Sequence, residues 1–147
     1  MTKKHKRVVI VTSIGCLIVL LFALQAILIK DIGEITERAK GTATSISVIR
    51  TDAAGEVTEY RTEDPAKIEE LFEFVEKVPV GLSGFGEPVS DKFFGDTNYL
   101  IKFYQGIGVN CYFTLDNGGG VFYGGRVYKT KTETVVADQM MQLVAGW

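Results

Sequence analysis

The sequence predicts an α+β fold: one N-terminal transmembrane helix, then a two-layer domain with a mainly antiparallel sheet in the order ββ-α-βββ-α. Three observations predict it. An uncharged apolar run from Val8 to Ile29 follows a basic flank, two strand-like runs around a turn precede a helical stripe, and three more strand-like runs separated by glycine turns precede a second stripe. Antiparallel strands with helices segregated to one face pack as two layers.

The apolar run is interrupted only by Thr12, Ser13, Gly15 and Gln25. As a helix it would reach about 33 Å at about 1.5 Å per residue, enough for a hydrocarbon core of about 30 Å. Hydroxyls there bond back to the helix, and Gln25 lies near the exit boundary. A cleaved signal peptide has a shorter apolar stretch, roughly 7 to 15 residues, closed by a small-x-small site. Neither Ala23 with Gln25 nor Leu24 with Ala26 fits that site, so the segment is expected to stay as a signal-anchor over 8–29. Cys16 reads as a small apolar helix residue and not as a lipoprotein cysteine, because too few apolar residues precede it and thirteen more follow before Lys30. Lys3, Lys4, Lys6 and Arg7 precede the run without an acid, whereas the residues after it are mixed. The positive-inside bias then keeps 1–7 in the cytoplasm and sends the remainder outward, in a bacterium to the outer face of the plasma membrane.

Residues 30–41 are rich in charge, and Leu28, Ile32, Ile35 and Ala39 recur at helical spacing. They read as a solvated juxtamembrane stalk continuing the membrane helix, with a weak homodimer seam as the alternative. Gly41 ends it. The 106 residues of 42–147 suffice for one extracytoplasmic domain and are too few for two. They carry fifteen acids against nine bases, a net charge near minus six, which argues against nucleic acid or anionic lipid as the partner of this domain.

Ser45 to Thr51 and Glu56 to Thr62 flank Asp52-Ala53-Ala54-Gly55, a turn sequence with glycine where positive φ is cheap, and so form a hairpin. Asp64-Pro65 supplies an N-cap and a first-turn proline, after which Ile68, Leu71, Phe72 and Val75 share a helical face. Pro79 stops that helix. Tyr99 to Gln105, Val109 to Leu115 and Val121 to Tyr128 read as a three-stranded meander joined at Gly106-Ile107-Gly108 and at Asp116 to Gly120. Glu133 to Val144 closes the domain as a helix with Val136, Met140 and Leu143 on one stripe, Thr132 as its cap and Trp147 as a packing plug. Cys111 alternates in phase with Val109, Phe113 and Leu115 and is expected to be buried; with Cys16 in the bilayer, no disulfide pairs within the chain.

The only histidine is His5, before the anchor. The outer domain therefore has no Ser-His-Asp or Cys-His arrangement and no imidazole metal site. No catalytic residue, no metal ligand set and no cofactor site is read from the sequence. Asp116 to Gly120 lacks the Lys-Ser/Thr of a phosphate loop and reads as a hairpin turn. Asp91, Asp96 and Asp116 are the carboxylates available for glycan cleavage, which needs two acids about 5 to 10 Å apart. Two surfaces are candidates for binding. Pro79 to Asn98 is a long glycine-rich connection presenting Leu82, Phe85, Phe93 and Phe94, of a length that domains use for binding or lay across a sheet. Glu69, Glu70, Glu73 and Glu76 make an acidic helix face, read either as a docking surface for a basic partner or as a solvated face. Tyr104, Tyr112, Tyr123 and Tyr128 are candidate groove-lining or packing tyrosines.

The expected function is a single-pass, membrane-anchored extracytoplasmic binding or regulatory module without catalysis, whose partner is an envelope protein or a cell-wall ligand. The alternatives are a carboxylate-based cell-wall or glycan hydrolase and an immunity or inhibitor protein. An anchor followed by a sheet also resembles the type IV pilin-like proteins in outline, implying a minor envelope component. The processing glycine followed by Phe-Thr-Leu and a nearby Glu, which that family uses, is missing from Val8 onward.

Overall fold

The computed structural model describes residues 3–85, 95–132 and 135–147, the side chains of 3–9 and 25–27 excepted. The chain begins with α1 (Lys3–Ile27). Its side chains from Ile10 to Leu24 are all exposed, and its large apolar residues leave between 46% (Ile18) and 71% (Val11) of their surface uncovered. The span expected over 8–29 is altered in two respects. The helix stops at Ile27, and among the described residues no helix is long and apolar enough to cross a membrane. Within the helix the uncharged stretch is Val8 to Ile27, two residues shorter than the expected span.

Past a bend at Leu28, the chain is tied into the sheet. Asp31 forms an antiparallel bridge with Pro79, framed by Val80 N–H donating to the Lys30 carbonyl at 2.8 Å and Ile32 N–H to the Val78 carbonyl at 3.1 Å. This corrects the expected stalk. Ile32, Ile35 and Ala39 are buried in the core, around the short helix α2 (Gly33–Thr36) and the turns after it. The spacing that reads as a stripe on a free helix instead points these residues at the sheet, so the domain begins near Lys30 and not at Thr42.

β1 (Ser45–Thr51) and β2 (Val57–Thr62) form the expected hairpin. The Asp52 carboxylate accepts from Ala54 N–H at 2.9 Å and Glu56 N–H at 3.0 Å, and Gly55 takes φ 81°. α3 (Pro65–Val75) starts where Asp64 accepts from Ala66 N–H at 2.9 Å, and it buries Ile68, Leu71, Phe72 and Val75, as the sequence predicts.

The Pro79–Asn98 segment is not wholly a loop: Val80–Phe85 forms the strand β3. β4 (Asn98–Gln105) and β5 (Gly108–Asp116) match the first two meander strands. The third is in fact two, β6 (Gly120–Tyr123) and β7 (Arg126–Thr130), because Gly124 and Gly125 both take positive φ and make a two-residue hairpin turn within the apolar run. The seven strands lie in the order β2-β1-β4-β5-β6-β7-β3, every pair antiparallel. The element order after α2 is therefore ββ-α-βββββ-α, an α+β fold.

α4 (Val136–Val144) closes the chain. Its buried stripe is Val136, Ala137, Met140 and Val144, while Leu143 is half-buried. The residue at its N-cap is Val135 and not the expected Thr132. The helices α2, α3 and α4 and one face of the sheet share a core in which Phe72 stacks on Phe103 at 5.0 Å and Phe103 on Phe113 at 6.5 Å. Ile46 and Val48 of β1 lie opposite Phe103 and Ile101 of β4 on that face. The other face near β1 is polar: Ser47 donates to Glu59 at 2.6 Å, and the Arg61 guanidinium lies 5.4 Å from the Tyr104 ring centre.

Candidate functional site

β3 is an edge strand, paired only with β7. Val80 is buried, but Leu82 is 39% and Phe85 72% exposed. The pairing slips between Leu82 and Gly84, a bulge of the kind that keeps an open edge from recruiting a further strand. Two of the four residues expected to form the binding segment thus sit together on one exposed edge; Phe93 and Phe94 lie outside the described residues.

The acidic face is present as an arrangement of side chains. Glu69, Glu70, Glu73 and Glu76 are all exposed on α3. It is not purely acidic, because Lys40 reaches across from the segment after α2 to pair with Glu76. The hydrogen bond that Lys40 donates to Glu76, with the charges of Glu76, Glu69 and Glu73, raises the Lys40 pKa. An exposed pair of this kind contributes little to stability; its effect is to lower the local negative potential at the C-terminal end of the face.

The carboxylates that the sequence offers for glycan cleavage do not converge. Asp116 is buried, and its Oδ1 accepts from Gly118 N–H and Gly120 N–H, each at 2.8 Å. It is a clamp for the β5–β6 turn. Asp96 is exposed and bonds the Asn117 amide at 2.9 Å, while Asn117 Oδ1 accepts from Thr97 N–H at 3.3 Å, which fastens the segment before β4 to that turn. Asp91 lies outside the described residues. Among the described residues no group of three His, Cys, Asp or Glu is placed to hold a metal ion.

The four tyrosines divide. Tyr128 is completely buried, and its hydroxyl has no hydrogen-bond partner among the described residues. Tyr104 is held by Arg61. Tyr112, 60% exposed, and Tyr123 line a cavity of about 330 Å³ with Ile35, Arg38, Val109 and Cys111. Burial pushes the Cys111 thiol up to about 11, making it a poor nucleophile at neutral pH. Cys111 is buried as expected, but Val109 is not. The register slips opposite Phe103 and Tyr104, so Val109 leaves the phase of Cys111, Phe113 and Leu115. Burial likewise raises the Tyr99 phenol, against the pull of Arg50 beside it.

A larger cleft, about 640 Å³, lies where α1 meets the sheet edge. Phe22, Leu28, Ile29, Val80 and Leu82 give it apolar walls, and Lys30 and Lys131 line it as well. Lys131 N–H donates to the Pro79 carbonyl at 2.9 Å, and its side chain crosses Gly81 so closely that a Cβ there would lie 2.7 Å from Cε. Sequence reasoning missed this cleft because Lys30 and Lys131 are a hundred residues apart. Only the pairing of β3 with β7 and the Asp31–Pro79 bridge bring them together. Comparison with known proteins gives no match: no family model, no curated protein and no solved structure matches this chain.

Proposed function

We propose that this protein is a single-pass membrane-anchored module, its N-terminus cytoplasmic, whose extracytoplasmic α+β domain binds another envelope component without catalysis. The observation that carries the anchor is α1 itself. Its side chains from Ile10 to Leu24, mostly apolar, are exposed, an arrangement that is costly in water and favourable in lipid. Val8, Val9, Gln25, Ala26 and Ile27 extend the uncharged sequence at both ends within the same helix, giving twenty residues and about 30 Å. The basic flank sets the direction.

The binding role rests on the β3 edge. Leu82 and Phe85 expose apolar area on an edge strand, which suits a partner protein or an apolar ligand held against an edge. Catalysis is not assigned, since the outer sequence contains no histidine and Asp116 and Asp96 are occupied in organising a turn. In intact cells, a photo-crosslinking residue at Phe85 should join the protein to one envelope component, whereas the same residue at Ala54, on the exposed β1–β2 turn, should not. Phe85→Ser and Leu82→Ser should weaken that partner's binding by roughly tenfold each, as expected for apolar anchors worth more than 1 kcal/mol. Equal crosslinking from both positions, or none from Phe85, would remove the basis of the reading.

A further inference from the structure

We infer that the cleft between α1 and β3 is a binding site for an acidic glycerophospholipid, with Lys30 and Lys131 holding the headgroup phosphate and the apolar walls receiving the upper acyl chains. The inference rests on the anchor reading and deepens it by assigning the lipid class at the membrane boundary.

The chemistry is set by the order of groups along the exit of α1. Phe22 precedes Leu28 by six residues, about 9 Å of helix, and Lys30 is the first charge after the apolar run. A spanning helix would therefore place Phe22 and Leu28 at acyl depth and Lys30 at headgroup level, where lysines reach phosphates. Lys131 comes to the same cleft from the far end of the chain, and neither lysine ammonium pairs with an acid among the described residues. Asp31 and Glu34 are near in sequence but are turned to backbone: Asp31 Oδ1 accepts from Glu34 N–H at 3.0 Å, and Glu34 Oε2 from Lys30 N–H at 3.2 Å. The cleft has the size of a small-molecule site. Two lysines and apolar walls in one cleft match one phosphate on two chains, which sets this corner apart from the net negative charge of the whole domain.

The test uses the full-length protein in nanodiscs of phosphatidylcholine alone and of phosphatidylcholine with phosphatidylglycerol, with bound lipid counted by native mass spectrometry after release. The wild type should retain phosphatidylglycerol in preference to phosphatidylcholine. Lys30→Gln with Lys131→Gln should reduce that preference about thirtyfold at low salt, Lys30→Arg with Lys131→Arg should keep it, and all variants should show the wild-type circular dichroism. Equal retention of the two lipids, or an unchanged preference in the double glutamine variant, would overturn the site. Displacement of the lipid by millimolar inorganic phosphate alone would also overturn it, since the cleft would then bind a free anion. Failure of the wild type to enter the discs would refute the anchor, and the lipid site with it, whereas entry without lipid preference would refute the lipid site only.

Discussion

At the scale of single residues, two buried groups have opposite relations to their surroundings. The Tyr128 hydroxyl is enclosed without a hydrogen-bond partner among the described residues, and an unsatisfied buried hydroxyl costs about 1 to 3 kcal/mol. Tyr128→Phe removes that cost while keeping the ring, so urea unfolding should show a gain of about 1 kcal/mol; a loss of stability would mean that the hydroxyl has a partner in solution. Cys111 fits its site as a neutral thiol. Its folded pKa of about 11 lies above the ordinary 9.0 because burial disfavours the thiolate. The folded state thus holds the proton more tightly than the unfolded chain, and this contribution to stability is complete below pH 9 and fades as pH rises through 11. Thiol labelling of the folded domain should be slow at pH 7 to 8 and accelerate only toward pH 11 or on unfolding.

At the scale of elements, α2 meets the end of α3 at Gly33, where an added Cβ would lie 2.9 Å from the Glu76 Cα and 2.8 Å from its Cγ. The glutamate side chain has room to swing aside, but its backbone does not. Gly33→Ala should therefore destabilise by about 1 to 3 kcal/mol, measurable as a lower urea midpoint at unchanged slope. Asp116→Ala should cost a similar amount, since it leaves the Gly118 and Gly120 amides of the β5–β6 turn without their acceptor. These contacts also mark what was legible in the sequence. The β1–β2 hairpin, α3 with its Asp64 cap, and β4 and β5 could be read because each is specified by its own turn chemistry and periodicity. The β6–β7 turn was missed because Gly124-Gly125 sits inside an apolar run of strand length. β3 was missed because its glycines and exposed Leu82 and Phe85 resemble a loop, and only pairing with β7 makes it a strand. The place of Ile32 and Ile35 was misread for a related reason: helical spacing is the same whether a stripe faces water, a second chain or the sheet. Of the candidate binding residues, Leu82 and Phe85 were visible as apolar residues among glycines, but the cleft of Lys30 and Lys131 depends on a pairing between distant segments that no local pattern encodes.

At the scale of the whole molecule, the bridge of Asp31 with Pro79 decides how the helix and the domain are joined. A flexible stalk would let the domain turn freely above the membrane, whereas two backbone hydrogen bonds and the burial of Ile32 and Ile35 fasten the exit of α1 to the β3 edge. On the proposed anchor reading, the edge that presents Leu82 and Phe85 would lie next to the membrane boundary, and Phe85, three residues further along β3 than Leu82, is about 10 Å farther along the strand. The two cysteines test this arrangement because their burial differs. Cys16 is uncovered by its own chain and Cys111 is buried within it. In sealed vesicles, a membrane-impermeant maleimide at neutral pH should label neither, since lipid would cover the first and the fold covers the second. Mild detergent should open Cys16 to slow labelling while Cys111 stays protected, and denaturant should add Cys111, giving stoichiometries of zero, one and two in that order. Peptide mapping assigns each step. Labelling of Cys16 in sealed vesicles would place α1 in water and end the anchor reading. Labelling of Cys111 in detergent alone would show that removing the bilayer loosens the domain, and the tie between α1 and β3 gives such loosening a direct route from the helix to the core.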